Sequence, residues 1–302
     1  MIDNIYIGNY EIHFSDNYGI VKDINKSVYF RLSGMTYKYL CEHYYEDTFD
    51  RQLEKILQNK YPYSHKDKFL LNITYKHSFD SLAACLPSFL FTYSLVCFVI
   101  LLMLVLGTVL MTFDTTTSSY NGINFIIYIL FLIINIVMHE FGHILFCLNA
   151  GREVKSYGFK FNYGVPMFYV DTSDICMAQK KGRVLTSLGG IYFNSIIGLL
   201  LFIWYLFFEN IIILRLINIS YFFVLSNILP FIKLDGYYIL SDILEVNNLN
   251  KVARNSFFNL LKRSSIRTFK KILLSIYYII SLIIILLICY TIISKIYNWI
   301  IT

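Results

Sequence analysis

Five stretches of this chain are apolar and almost free of charge. Ser81–Phe113, Thr115–Met138, Val184–Phe208 and Ile272–Ser294 hold no Asp, Glu, Lys or Arg, and Asn210–Ile232 is interrupted only by Arg215. A helix of about 20 such residues crosses about 30 Å of hydrocarbon, so each stretch predicts a membrane span. We place the spans at residues 86–112, 123–146, 184–208, 211–233 and 272–294. The first 78 residues follow another rhythm. Alternating apolar and polar positions predict strands over Ile7–Phe14, Gly19–Asp23 and Val28–Leu32, and helical spacing follows over Gly34–Tyr45 and Thr48–Asn59. That order is of winged-helix type. A last strand signal lies between the second and third spans, where Tyr157, Phe159, Phe161 and Tyr163 alternate with small or polar residues and Pro166 bends the chain into Met167–Asp171. The pattern thus predicts a small α+β winged-helix-like domain at residues 1–78. Residues 79–302 should then form a membrane all-α core of about five transmembrane helices with a cytoplasmic β-hairpin insertion.

Composition agrees: with 57% hydrophobic and 15% charged residues, the chain is too apolar for an ordinary soluble domain, where about a quarter are charged. Charge also sets orientation. Asn149–Arg183 carries six Lys or Arg against three acids and Asp235–Lys271 seven against three, whereas the opposite loops hold only Asp114 and Glu209. By the positive-inside rule the N-terminal domain and both basic loops are cytoplasmic and the C-terminus is outside the cell membrane. This topology accounts for the net charge of +6, so no nucleic-acid partner is called for. No cleaved secretory signal is expected ahead of the first span. The six cysteines lack CxxC spacing and read as small buried hydrophobes.

Chemistry enters at the end of the second span, as His139-Glu140-Phe141-Gly142-His143. On a helix the two histidines project from one face a turn apart and can share a metal, with Glu140 beside them as a potential general base. A catalytic zinc needs a third ligand and an open position. The fourth span is broken by Pro230 and ends in Asp235, the natural oxygen ligand. Spans two and four run in the same direction, so the charge-derived topology sets Asp235 and the HExxH at similar depth on the cytoplasmic side. Asp171, Asp174 and Asp242 read as loop or cap residues, and Arg215 as a side chain reaching for the outer interface.

HExxH together with Asn227-x-x-Pro230-x-x-x-x-Asp235-Gly236 resembles the site-2 protease family of intramembrane zinc metalloproteases, from about Leu86 to Asp242. The resemblance implies one Zn2+ per chain on His139, His143 and Asp235, Glu140 as general base, and Asn227 orienting substrate or stabilising the oxyanion. Gly190–Asn194 stands where the family often has Gly-Pro followed by Asn. The proline is absent here, and Tyr237 replaces a common second glycine. Asn194, Tyr157, Phe159 and Phe161 are candidate substrate contacts. The N-terminal segment from Gly19 to Leu57 is similar to the PqqD-like peptide-recognition domain, which in that family holds a precursor's leader as an added strand. Together these imply a zinc endopeptidase acting on a peptide or membrane-protein substrate at the bilayer, in maturation of a ribosomally made modified peptide. Regulated proteolysis of a membrane signalling protein and a non-catalytic peptide-binding or immunity protein are the alternatives.

Overall fold

The computed structural model describes residues 4–15, 18–26, 28–33, 35–43, 53, 55–57, 68–75, 79–111, 122–162, 165–261 and 269–301. The chain forms two compact units, one of residues 1–87 with 143–186 and the other of residues 88–142 with 187–302.

The first unit begins with a four-stranded antiparallel meander, β1 (Ile5–Ile7), β2 (Tyr10–Ser15), β3 (Tyr18–Asp23) and β4 (Val28–Ser33), followed by helix α1 (Met35–His43). The single strand expected over Ile7–Phe14 is two, because a turn at residues 8–9 reverses the chain and pairs Ile7 with Tyr10. The helix expected over Thr48–Asn59 lies largely outside the described residues. Its Leu53 and Leu57 are nevertheless buried against Ile12, Val21 and Leu32, one face of the meander.

The opposite face is buried too. Period-two alternation sends Glu11, His13, Lys22 and Tyr29 to that side, and the pairing sets Glu11, Lys22 and Tyr29 in one row across β2, β3 and β4. There Tyr18, Ile20 and Tyr29 pack on Met177 in a short 3-10 turn, Ser173–Met177. Asp174 in that turn accepts from Tyr29 Oη at 2.8 Å and Arg152 Nε at 2.8 Å, and pairs with Lys22 Nζ at 2.7 Å. Burial alone pushes the Asp174 carboxyl up. The hydrogen bonds from Arg152, Lys22 and Tyr29 outweigh it and hold the group at about 2.

A second sheet in this unit has the order β5 (Lys68–Thr74), β6 (Ser156–Asn162), β7 (Val165–Asp171). The β6–β7 hairpin follows the expected alternation. The third strand, β5, was not read from sequence and comes from the stretch ahead of the first span.

The other elements are helical. Helix α2 (Asp80–Cys85) and a 3-10 turn (Ser88–Phe91) precede α3 (Tyr93–Leu110), so the first span starts later than expected, beyond Pro87. Then come α4 (Gly122–Asn149), α5 (Lys180–Phe208), α6 (Ile211–Ile228), α7 (Asp235–Leu244), α8 (Leu249–Leu261) and α9 (Phe269–Ile301). Among the described residues five helices are long and apolar enough to cross a membrane, namely α3 to α6 and Phe269–Leu287 of α9. Exposed Phe125, Ile126, Leu130, Leu200 and Phe207 show how much of these helices is built to meet lipid. This is a multi-pass membrane protein.

Several polar groups within the spans find partners. Ser220 Oγ donates to the fully buried Asn135 Oδ1 at 3.3 Å, and Arg215 Nη1 donates to Tyr128 Oη at 3.3 Å. Of the five described cysteines only Cys147 is buried, and Cys85 and Cys97 are exposed, so the reading of all six as buried hydrophobes holds for one of these. Cys97 lies in the first span, where an exposed surface can face lipid at no cost to a small apolar thiol.

Candidate metal centre

The histidines of HExxH lie in the C-terminal half of α4, a helix without charge for its first four turns. Two glycines allow the backbone to close around them. A Cβ on Gly142 would run into the carbonyl of Gly189, so α4 and α5 cross with backbone against backbone at that point. The carboxylate arrives by a different route. Pro230 follows the last residues of α6, whose final turn ends in extended Leu229, and the chain restarts as a helix at Asp235. Phe231 stacks on Tyr277, and Tyr277 Oη lies 2.9 Å from Pro230 O, which fixes the break against α9. Gly236 is required here as well, since a Cβ would meet the carbonyl of Ile228. Asp235 therefore occupies the first turn of α7, where the helix dipole favours an anion.

His139 Nε2 stands 2.9 Å from Asp235 Oδ2. One donor atom each from His139, His143 and Asp235 lies within 4.8 Å of the other two, and among the described residues this is the one group of three or more such side chains. The other ring nitrogens face away from this point. His143 Nδ1 lies 2.7 Å from Thr186 O, and His139 Nδ1 lies 3.2 Å from Asn194 Nδ2. A carbonyl can only accept, so Nδ1 of His143 carries the proton and Nε2 presents its lone pair. Two imidazole nitrogens and one carboxylate oxygen are a donor set that suits zinc with one position open.

The other candidates are distributed around this point and beyond it. Glu140 is half-buried beside His139. Asn227 is buried at the end of α6 and donates to Phe223 O, one turn back, at 2.9 Å. Tyr157 packs edge-on against Tyr75, and Phe159 lies against Phe168 of the neighbouring strand at 3.8 Å between ring centroids. Phe161 pairs with Lys68 and Pro166 in the sheet. Sequence reasoning missed the carbonyl of Thr186, for which a backbone acceptor leaves no residue-type signal, and it read Asn194 as a substrate contact.

Comparison with known proteins adds to the geometry. Residues 100–241 match the family model described as Peptidase M50B-like. The M50B-like stretch contains HExxH, Asn194, Asn227 and Asp235, so the likeness to site-2 proteases drawn from the two motifs is borne out. A Bacillus subtilis (strain 168) protein named "Putative peptide zinc metalloprotease protein YydH" is 33% identical over 79 residues, covering 26% of this chain and 31% of the relative. The alignment thus spans about a third of that relative's length. No solved structure matches the chain.

Proposed function

We propose that this chain is a membrane zinc endopeptidase that binds one zinc through His139, His143 and Asp235. The convergence of two imidazoles from α4 with the carboxylate of α7 carries this reading. Zinc held by these residues would supply Lewis acidity toward water and a peptide carbonyl. Glu140 takes a proton from the attacking water and returns it to the amine that leaves as the C–N bond breaks. Asn227 orients the scissile carbonyl or stabilises the charge developing on its oxygen, exchanging its bond to Phe223 for one to substrate.

A helical substrate hides its carbonyls in hydrogen bonds, so it must reach the centre extended. The outer edge of β7 is our candidate for presenting it as an added strand, on a sheet whose bed includes Tyr157, Phe159 and Phe161 of β6. The N-terminal sheet ends in β4, whose outer edge we assign to the leader of a ribosomally made precursor. Loop charge supports a cytoplasmic N-terminus and active site with the C-terminus outside.

The test is reconstitution of the full chain in liposomes with any small peptide encoded beside its gene. Cleavage that stops with a zinc chelator is expected. Cleavage of a co-encoded membrane signalling protein, with the small peptide untouched, would move the substrate to regulated intramembrane proteolysis.

A further inference from the structure

Asn194 of α5 is fully buried, with its side chain behind the ring of His139. Its Nδ2 lies 3.2 Å from His139 Nδ1, while its Oδ1 is buried without a hydrogen bond. In that orientation the amide N–H donates to Nδ1, and the ring proton must sit on Nε2, the atom 2.9 Å from Asp235 Oδ2. A protonated Nε2 has no lone pair for a metal. Turning the amide over resolves both difficulties, since Oδ1 then accepts Nδ1–H, the orphaned oxygen gains a partner, and Nε2 is left free to coordinate. His143 follows the same logic by different means, with the backbone carbonyl of Thr186 2.7 Å from its Nδ1.

We propose that Asn194 is a positioning residue that accepts the Nδ1 proton of His139 and so holds this ligand in its metal-binding tautomer. The inference rests on the zinc reading and gives Asn194 a role in the metal centre in place of a contact to substrate. Acceptors of this kind typically matter to metal affinity by roughly 10- to 100-fold.

The experiment is chelator-competition measurement of zinc affinity on the full chain in detergent, with thermal unfolding recorded for each variant and cobalt(II) absorption as a spectroscopic readout. Asn194→Leu keeps the shape but cannot accept, and should weaken zinc by roughly 10- to 100-fold and change the cobalt spectrum. Asn194→Asp accepts and should hold zinc within about threefold of wild type with an unchanged cobalt spectrum. Wild-type affinity in Asn194→Leu, or equal loss in a folded Asn194→Asp, overturns the proposal. A second measurement needs no variant: in the zinc-loaded wild type, 15N spectra of the histidines should show Nδ1 of His139 protonated, and an unprotonated Nδ1 overturns the assignment. If wild type binds no zinc, the metal reading itself fails. If it binds zinc and Asn194→Leu binds equally well, only the role of Asn194 fails.

Discussion

Arg152 holds both oxygens of Glu11, at 2.7 Å from Nη1 and 3.0 Å from Nη2, across 141 positions of sequence. Its Nε reaches Asp174 at 2.8 Å. One guanidinium therefore ties the stretch that follows α4 both to the strand β2 and to the 3-10 turn, in a place where all three charges are nearly buried. A buried charge deprived of its partner is costly. Arg152→Leu takes the paired cation from the buried Glu11, while Asp174 keeps Lys22 and Tyr29, and should lower stability by about 3–5 kcal/mol. Denaturant unfolding in detergent checks this. The Glu11→Leu, Arg152→Leu double variant should be less destabilised than the sum of the single changes, because it leaves fewer unpaired charges.

The same network carries a pH signature through His13, whose Nδ1 lies 2.8 Å from Asn4 Oδ1. Burial, reinforced by the positive charges of Arg183 and Arg152, pushes its ring down to about 4. In the unfolded chain the ring titrates near its ordinary value of about 6.5. Between those values the unfolded chain binds a proton that the folded chain refuses, so stability must fall as pH drops, by about 3 kcal/mol at pH 4. Asp174 acts in another window: its contribution is complete above its ordinary range and is lost only as pH falls toward about 2. A His13→Asn variant should therefore show a flatter stability profile than wild type from pH 6.5 to pH 4. Parallel profiles would contradict the assignment.

Gly142 offers a steric test of the centre. Gly142→Ala puts a methyl into the Gly189 carbonyl and must push α4 from α5. An overpacking cost of about 1–3 kcal/mol is expected, together with weaker zinc binding, because both flanking histidines ride on that helix. Gly122→Ala, at the start of the same helix with nothing near its would-be Cβ, is the control and should be neutral.

Asp235→Ala removes the oxygen ligand proposed for zinc and should reduce zinc in the purified chain to well under one ion per molecule. Metal analysis reads this directly. Full zinc occupancy in this variant would mean that the third ligand lies elsewhere.

The centre was legible because it follows from local rules. HExxH speaks through helical periodicity, and Asp235 through a proline that ends one span just ahead of an acid. The five spans are equally local, since length and apolarity define them. What escaped were relationships over distance. Lys68–Thr74 has no clear alternation of its own and becomes β5 only because β6 supplies a partner some 90 positions later. Glu11, Lys22, Arg152 and Asp174 look like ordinary surface charges one at a time. Their burial appears only once the polar face of the meander is covered by the 152–177 segment. Asn194 stands out in sequence by its place in a motif, and its nearness to His139 Nδ1 comes only from the crossing of α4 and α5.

Proteolysis by the proposed zinc centre with Glu140 as its base is tested by comparing cleavage by wild type and Glu140→Gln in liposomes, both first shown to hold zinc. The amide is nearly isosteric and cannot take a proton from water, so cleavage should fall by roughly 100- to 10,000-fold while zinc is retained. A Glu140→Gln protein that cleaves at the wild-type rate would contradict it.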